Sequence, residues 1–209
     1  MRILIADDHS LIRKGLVHLL QNEYPSAFIQ ETGDAEEVIK MLLIGDWDAI
    51  ICDLSMPGRN GLEVVQYVKQ HFPQMPVLVI SMHPEEQYAI RALKAGAAGY
   101  LCKDSAPEEM VKAVRTILLG RRYISSTTAD KLLTELEKGG SDKAPHESLT
   151  HREFIIFQLL SSGTSVSAIS EQLSLAITTV STYKAKILAK MNFKSNADLI
   201  RYALENKLI

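Results

Sequence analysis

Five side chains in the first half of the chain have the types that phosphoryl chemistry needs: Asp7, Asp8, Asp53, Ser81 and Lys103. Carboxylates crowded into one place raise one another's pKa unless a cation intervenes, and a small octahedral cation with oxygen ligands, Mg2+, is the natural partner for such a set. With that charge neutralised, Asp53 is expected to act as a nucleophile toward phosphorus. Lys103 then balances the equatorial oxygens and Ser81 donates to one of them. The product is an aspartyl phosphate. Any one Asp at a strand end is more often a turn or helix cap, so the reading rests on all five converging.

Convergence requires a particular fold. Short apolar runs at Ile3 to Ala6, Ala27 to Gln30, Ala49 to Cys52, Val77 to Ser81 and Gly99 to Cys102 read as five strands. Between them lie segments of helical spacing, such as Leu11, Gly15, Leu16, Leu19 and Leu20, or Met110, Val111, Val114, Ile117 and Leu118. Strands apolar on both faces suit a parallel sheet covered by helices, so the expected fold class is α/β, a five-stranded doubly wound parallel sheet followed by an all-α four-helix domain. Ligands of such sheets sit at the carboxyl ends of the strands. Asp7 and Asp8 follow the first strand, Asp53 the third, Ser81 ends the fourth and Lys103 follows the fifth. The loop Met56-Pro-Gly-Arg-Asn-Gly61 and the run Ala95 to Lys103 supply turn residues where backbone must approach closely.

The overall balance of 23 basic and 25 acidic residues conceals an asymmetry. Residues 1–120 hold 11 Lys and Arg against 16 Asp and Glu, whereas residues 149–209 hold 7 against 4, so the two parts need different partners. No apolar run is long enough to span a membrane and the first residues are too acidic for a signal peptide, so a cytoplasmic protein without membrane contact is expected. Cys52 and Cys102 each end an apolar run and read as reduced core residues. After Gly120 the pattern lapses into a helix expected from Thr127 to Lys138 and a breaker-rich stretch near 139–147. The expected domains are therefore 1–120, a linker over 121–147, and 148–209.

From Leu149 every apolar spacing is helical. Thr150-His-Arg-Glu153 ahead of Phe154 is a capping box, Val166 to Leu173 marks a second helix, Ile177 to Met191 a third and Ala197 to Asn206 a fourth, with Leu199, Ile200, Ala203 and Leu204 on its apolar face.

Asp7-Asp8-His9, Asp53-Leu-Ser-Met-Pro-Gly58, Gly61, Ser81 and Gly99-Tyr100-Leu-Cys-Lys103 resemble, in order, the receiver domains of two-component response regulators, specifically the NarL/FixJ group. The resemblance implies that a sensor histidine kinase phosphorylates Asp53, that Asp8 binds magnesium directly and Asp7 through water, and that the main-chain carbonyl of Ser55 completes the protein ligands. It implies a switch in which Ser81 moves toward the phosphate and Tyr100 turns inward behind it. It also places Ser55 and His83 where the family tunes phosphate lifetime. Asp104 stands where many receivers have Pro after the active-site Lys.

Leu149 to Glu153, Gly163-Thr-Ser165, Leu173-Ser-Leu175, Thr179-Val180 and Ile187 to Lys190 are similar to the LuxR-type helix-turn-helix. That resemblance implies double-stranded DNA as partner, a homodimer on an inverted repeat and RNA polymerase as a further candidate partner. On the third helix Thr178, Ser181, Thr182 and Ala185 are expected toward base edges, Thr179 is a further DNA-binding candidate, and Lys184, Lys186 and Lys190 are expected on phosphates, while Val180, Ile187 and Met191 pack inward. Family members commonly carry Ser, Lys and His where this chain has Ala176, Ser181 and Tyr183. An output acting through protein partners is the alternative. A flavodoxin-like electron carrier or a phosphohydrolase is disfavoured because no Walker-type loop and no second Asp two residues beyond Asp53 is present.

Overall fold

The computed structural model describes residues 1–56, 60–137 and 144–209, which divide into two compact units, Met1–Leu133 and Thr134–Ile209. Residues 57–59 of the loop Met56 to Gly61 and residues 138–143 of the expected linker, including the expected helix end at Lys138, lie outside the described residues.

In the first unit β1 (Arg2–Ala6), β2 (Phe28–Thr32), β3 (Ala49–Asp53), β4 (Val77–Ser81) and β5 (Gly99–Cys102) form one parallel sheet in the order β2-β1-β3-β4-β5. Helices α1 (Ser10–Glu23), α2 (Ala35–Ile44), α3 (Gly61–His71), α4 (Glu85–Ala95) and α5 (Pro107–Leu118) connect and follow the strands. Side chains alternate along each strand, so both faces are used. Ile3, Ile5, Ala49, Ile51, Leu78 and Ile80 meet Leu16 and Leu20 of α1 and Met110, Val114 and Ile117 of α5. Each large apolar side chain so buried contributes about 1.5–3 kcal/mol. The remaining strand residues, including Leu4, Ile50, Cys52 and Val79, are also fully buried, and α2, α3 and α4 contact the sheet. No described helix is long and apolar enough to cross a membrane.

Spacing alone misplaces a few side chains. Leu11 is 84% exposed and Leu204 is 61% exposed, because each lies at the margin of its helix's apolar stripe. Cys52 is buried, whereas Cys102 is half-buried at the rim, its Sγ 3.8 Å from the His83 carbonyl oxygen; both thiols are free. The strand expected at Ala27 to Gln30 runs from Phe28 to Thr32.

The first unit also takes in residues beyond Gly120. Tyr123 is buried, its amide donates to the Ala98 carbonyl at 2.8 Å and its backbone bridges Gly99. A helix, α6 (Ser126–Glu137), follows.

In the second unit a 3-10 turn, Pro145–Ser148, precedes α7 (His151–Ser161), α8 (Val166–Gln172), α9 (Ile177–Met191) and α10 (Asn196–Glu205). Pro145, read from sequence as a breaker in a loop, instead opens this turn, and His146 Nδ1 lies 2.7 Å from the Tyr202 hydroxyl. The Thr150 hydroxyl accepts from the Glu153 amide and the Glu153 carboxylate accepts from the Thr150 amide, closing the expected capping box. Phe154, Phe157, Leu160, Ile169, Val180, Ile187, Met191, Leu199 and Ala203 are the buried centre. The chain turns from α8 to α9 through Leu173 to Ala176, with Ser174 at φ 51°.

One glycine is required by close approach. A Cβ on Gly61 would lie 2.1 Å from the Asp53 carbonyl oxygen, whereas a Cβ on Gly15, on the exposed side of α1, meets nothing within 4 Å. Gly61→Ala is expected to destabilise the protein by about 1–3 kcal/mol, and Gly15→Ala to stabilise it by roughly 0.4–1 kcal/mol. Urea midpoints of the two variants check this, and equal midpoints would contradict the packing.

Candidate functional site

Strand register assembles the site. Ala6 pairs with Cys52, so Asp7 and Asp53 emerge beside each other where the strand order reverses; Asp53 pairs with Ile80, Ser81 pairs with Cys102, and the Lys103 amide donates to the Ser81 carbonyl at 2.8 Å. Lys103 reaches back along this edge. Its Nζ is 2.8 Å from Asp7 Oδ2 and 2.9 Å from Asp53 Oδ2, and all three side chains are almost wholly buried. The other oxygens are also held: Asp7 Oδ1 accepts from the His9 amide at 2.8 Å and Asp53 Oδ1 from the Ser55 amide at 3.2 Å.

Asp8 stands at the exposed rim, and one ligand atom from each of Asp7, Asp8, His9 and Asp53 lies within 4.8 Å of the others. Three carboxylates are therefore gathered at one site, and two of them share a single buried ammonium. Burial raises the Asp53 carboxyl above its ordinary range; Lys103 pulls it back by hydrogen bond and charge, and Asp7 adds to the rise. A hard cation bound by these oxygens would relieve that cost, and the oxygen-rich donor set fits one. His9 was not assigned a role from the sequence. Its Nδ1 lies 2.6 Å from Asp8 Oδ1, which makes it a partner of the rim carboxylate.

Ser81 is buried, and its Oγ accepts from the His83 amide at 3.1 Å. Tyr100 is also buried, and its hydroxyl donates to the His83 carbonyl at 2.8 Å. The two expected lifetime positions meet directly: Ser55 Oγ and His83 Nε2 are 3.1 Å apart. The His83 ring stacks on Tyr88 of α4 at 4.5 Å, and burial followed by the Lys103 charge lowers its pKa. Tyr88 carries no sequence signal beyond a helical core position.

In the second unit Thr178, Thr179, Ser181, Thr182, Ala185 and Lys186 are exposed on α9, Lys184 is half-buried, and Val180, Ile187 and Met191 are buried as expected. The Thr182 hydroxyl donates to the Thr178 carbonyl at 2.9 Å. Ala176 is the N-cap of α9 and supplies no side-chain hydrogen bond, a loss of roughly 0.5–2 kcal/mol relative to a capping side chain. Lys190 has an internal partner that spacing did not reveal, Glu153, whose carboxylate is 2.6 Å away and nearly buried. Burial pushes the Glu153 carboxyl up, but Lys190 and Thr150 outweigh it and leave its pKa lowered. One acid thus closes the first turn of α7 and ties down the last turn of α9.

The family model for the response regulator receiver domain matches residues 3–115, and that for bacterial regulatory proteins of the luxR family matches residues 147–203. The chain is 31% identical to the response regulator UvrY of Escherichia coli K12 over all of its own length and 95% of UvrY. It is 36% identical to the transcriptional activator protein ExaE of Pseudomonas putida, again over its whole length and 98% of ExaE. A solved structure of RcsB from Salmonella enterica serovar Typhimurium, bound to the promoter P1flhDC in the presence of phosphomimetic BeF3-, is 27% identical with a TM-score of 0.63, covering 97% of each chain. The unit that carries the acidic pocket and the helical unit that follows it in sequence thus match family models in the same order along one chain, which belongs to the response regulators that join a receiver domain to a LuxR-type DNA-binding domain.

Proposed function

We propose that the chain accepts a phosphoryl group on Asp53 from a sensor histidine kinase, in a Mg2+-dependent reaction of its own, and thereby controls the binding of a homodimer to DNA. Residues 1–120 act as receiver, 121–147 as linker and 148–209 as DNA-binding module, and the protein works in the cytoplasm. The observation that carries this reading is the Lys103 ammonium held between Asp7 and Asp53 beside the rim carboxylate of Asp8.

Asp53 Oδ attacks phosphorus, the P–N bond to the kinase histidine breaks, and the imidazole leaves with its electron pair. Magnesium, held by Asp8, Asp53 and the Ser55 carbonyl with Asp7 acting through water, would supply the charge that lets phosphate approach three acids. Lys103 contacts a phosphoryl oxygen once Asp53 is esterified, and Ser81 donates its hydroxyl to another. Tyr100, expected to turn inward behind Ser81, is already buried with its hydroxyl on the His83 carbonyl, so it needs no inward turn. Ser55 and His83, already bonded to each other, set the access of water to the acyl phosphate and so its lifetime.

On the output side, Thr178, Ser181, Thr182 and Ala185 face base edges in the major groove with Thr179 beside them, while Lys184 and Lys186 meet phosphates. Lys190 serves the fold through Glu153 first and reaches phosphate only with what its partial exposure leaves free. Paired modules on an inverted repeat multiply two weak half-site contacts.

Selection of bound duplexes from a random pool, with wild type and Asp53→Asn in parallel, tests the reading. An inverted repeat enriched by phosphorylated wild type, and weakly or not at all by the variant, is expected. No enrichment by either protein would favour an output acting through protein partners. Lys184→Ala is expected to weaken binding evenly across sequences and to flatten the slope of log affinity against log salt by about one; a loss confined to certain sequences would contradict the phosphate assignment.

A further inference from the structure

Residues 83–88 join the acidic pocket to the helix that follows the receiver. The His83 amide is bonded to Ser81 Oγ, its carbonyl accepts from Tyr100, and its ring lies on Tyr88. Pro84 then opens α4 without a side-chain cap, and Glu85 is the first helical residue. Glu85 does not reach the pocket. Its Oε1 accepts from the hydroxyls of Ser125 and Thr128, the latter at 2.6 Å, while the Ser125 hydroxyl itself accepts from the Thr128 amide at 3.1 Å at the start of α6. Thr128 is buried, and Lys131 Nζ donates to the Glu86 carbonyl at 2.6 Å.

The start of α6 is therefore fastened to the first turn of α4 by one carboxylate, two hydroxyls and one ammonium. Hydroxyl bonds to a carboxylate are charge-assisted and stronger than neutral ones, and a negative group at a helix N-terminus is favourable for α4 as well. The preceding residues are held separately. Tyr123 bonds to the Glu109 carboxylate and, through its amide, to the Ala98 carbonyl. The chain thus has an upstream anchor on β5 and α5 and a downstream fastening on α4, the latter bonded directly to Glu85 and Glu86 beside the segment held by Ser81.

We propose that Glu85 is a latch that docks the start of α6 on α4 in the unphosphorylated receiver, and that phosphoryl transfer to Asp53 opens it. This rests on the phosphorylation reading above. When Ser81 Oγ swings toward a phosphoryl oxygen to donate its hydroxyl, it moves out of reach of the His83 amide, which loses its acceptor. The strain then falls on residues 83–85, because Pro84 gives the start of α4 no side-chain cap. Glu85 shifts from Ser125 and Thr128, and α6 leaves α4 while Tyr123 stays in place. A segment with two discrete arrangements, biased by one local bond, is the general form of such a switch.

Amide hydrogen exchange on the full chain tests the latch, with intact mass recording phosphoryl uptake from acetyl phosphate and Mg2+ in the same samples. Without phosphoryl donor, Glu85→Ala and Thr128→Val are each expected to speed exchange over residues 126–131 by about tenfold, with the amide of Tyr123 unchanged and Glu85→Gln, which keeps an acceptor oxygen, closer to wild type. Phosphorylated wild type is expected to exchange there as fast as Glu85→Ala. Unaltered exchange in both variants overturns the latch. Unaltered exchange in wild type whose mass shows full phosphorylation overturns its release. Absence of phosphoryl uptake would overturn the phosphorylation reading and the release together, while the unphosphorylated variants would still decide the latch.

Discussion

A buried ammonium between two buried carboxylates is the constraint from which the rest of the first unit follows. Lys103 cannot hold Asp7 and Asp53 unless the ends of β1, β3 and β5 lie along one edge, and only a parallel sheet with helical crossovers brings those ends together. The order β2-β1-β3-β4-β5 also reverses direction between β1 and β3, opening a crevice where Asp7 and Asp53 emerge. The one ammonium shared by Asp7 and Asp53 stays short of the three carboxylates gathered there, with Asp8 at the rim. The pocket therefore has an electrostatic demand for a further cation, and burial of Asp53 sharpens it.

The apolar core makes this arrangement tolerable. Paired charges out of water cost several kcal/mol each unless their geometry is good, and the geometry here is fixed by backbone. The Lys103 amide is bonded to β4, the Asp53 oxygen to the Ser55 amide, and the Gly61 backbone packs so tightly on the Asp53 carbonyl that a methyl group has no room. In the second unit the same logic appears once more, where Glu153 serves a helix cap and a lysine on another helix together.

Much of this was legible in the sequence because it obeys short periods. Five apolar runs and the helical spacing between them located every strand, and the acids and lysine at their ends located the pocket. The third helix of the second unit was bounded correctly by Ile177 and Met191, with Val180 and Ile187 inward. What periodicity could not separate were residues at the edge of an apolar stripe, such as Leu11 and Leu204, whose exposure depends on how far the neighbouring element reaches. Contacts between residues far apart in sequence were illegible for another reason. Glu85 with Thr128, Glu153 with Lys190 and His146 with Tyr202 are pairs of ordinary surface residue types at no characteristic spacing, and only the fold brings them together. The 3-10 turn at Pro145–Ser148 shows the ambiguity of proline, which ends structure in one context and begins it in another.

The central claim is that Asp7, Asp8, Asp53 and Lys103 form a metal-assisted acceptor for phosphorus, and covalent labelling measures it most directly. Incubation of the full chain with radiolabelled acetyl phosphate and Mg2+ is expected to leave an acid-stable, base-labile label that maps to Asp53. Chelation of the metal should abolish it, and Lys103→Ala should reduce it severely. A folded wild-type protein that takes up no label at Asp53, or an Asp53→Asn variant labelled as strongly as wild type, would contradict the account.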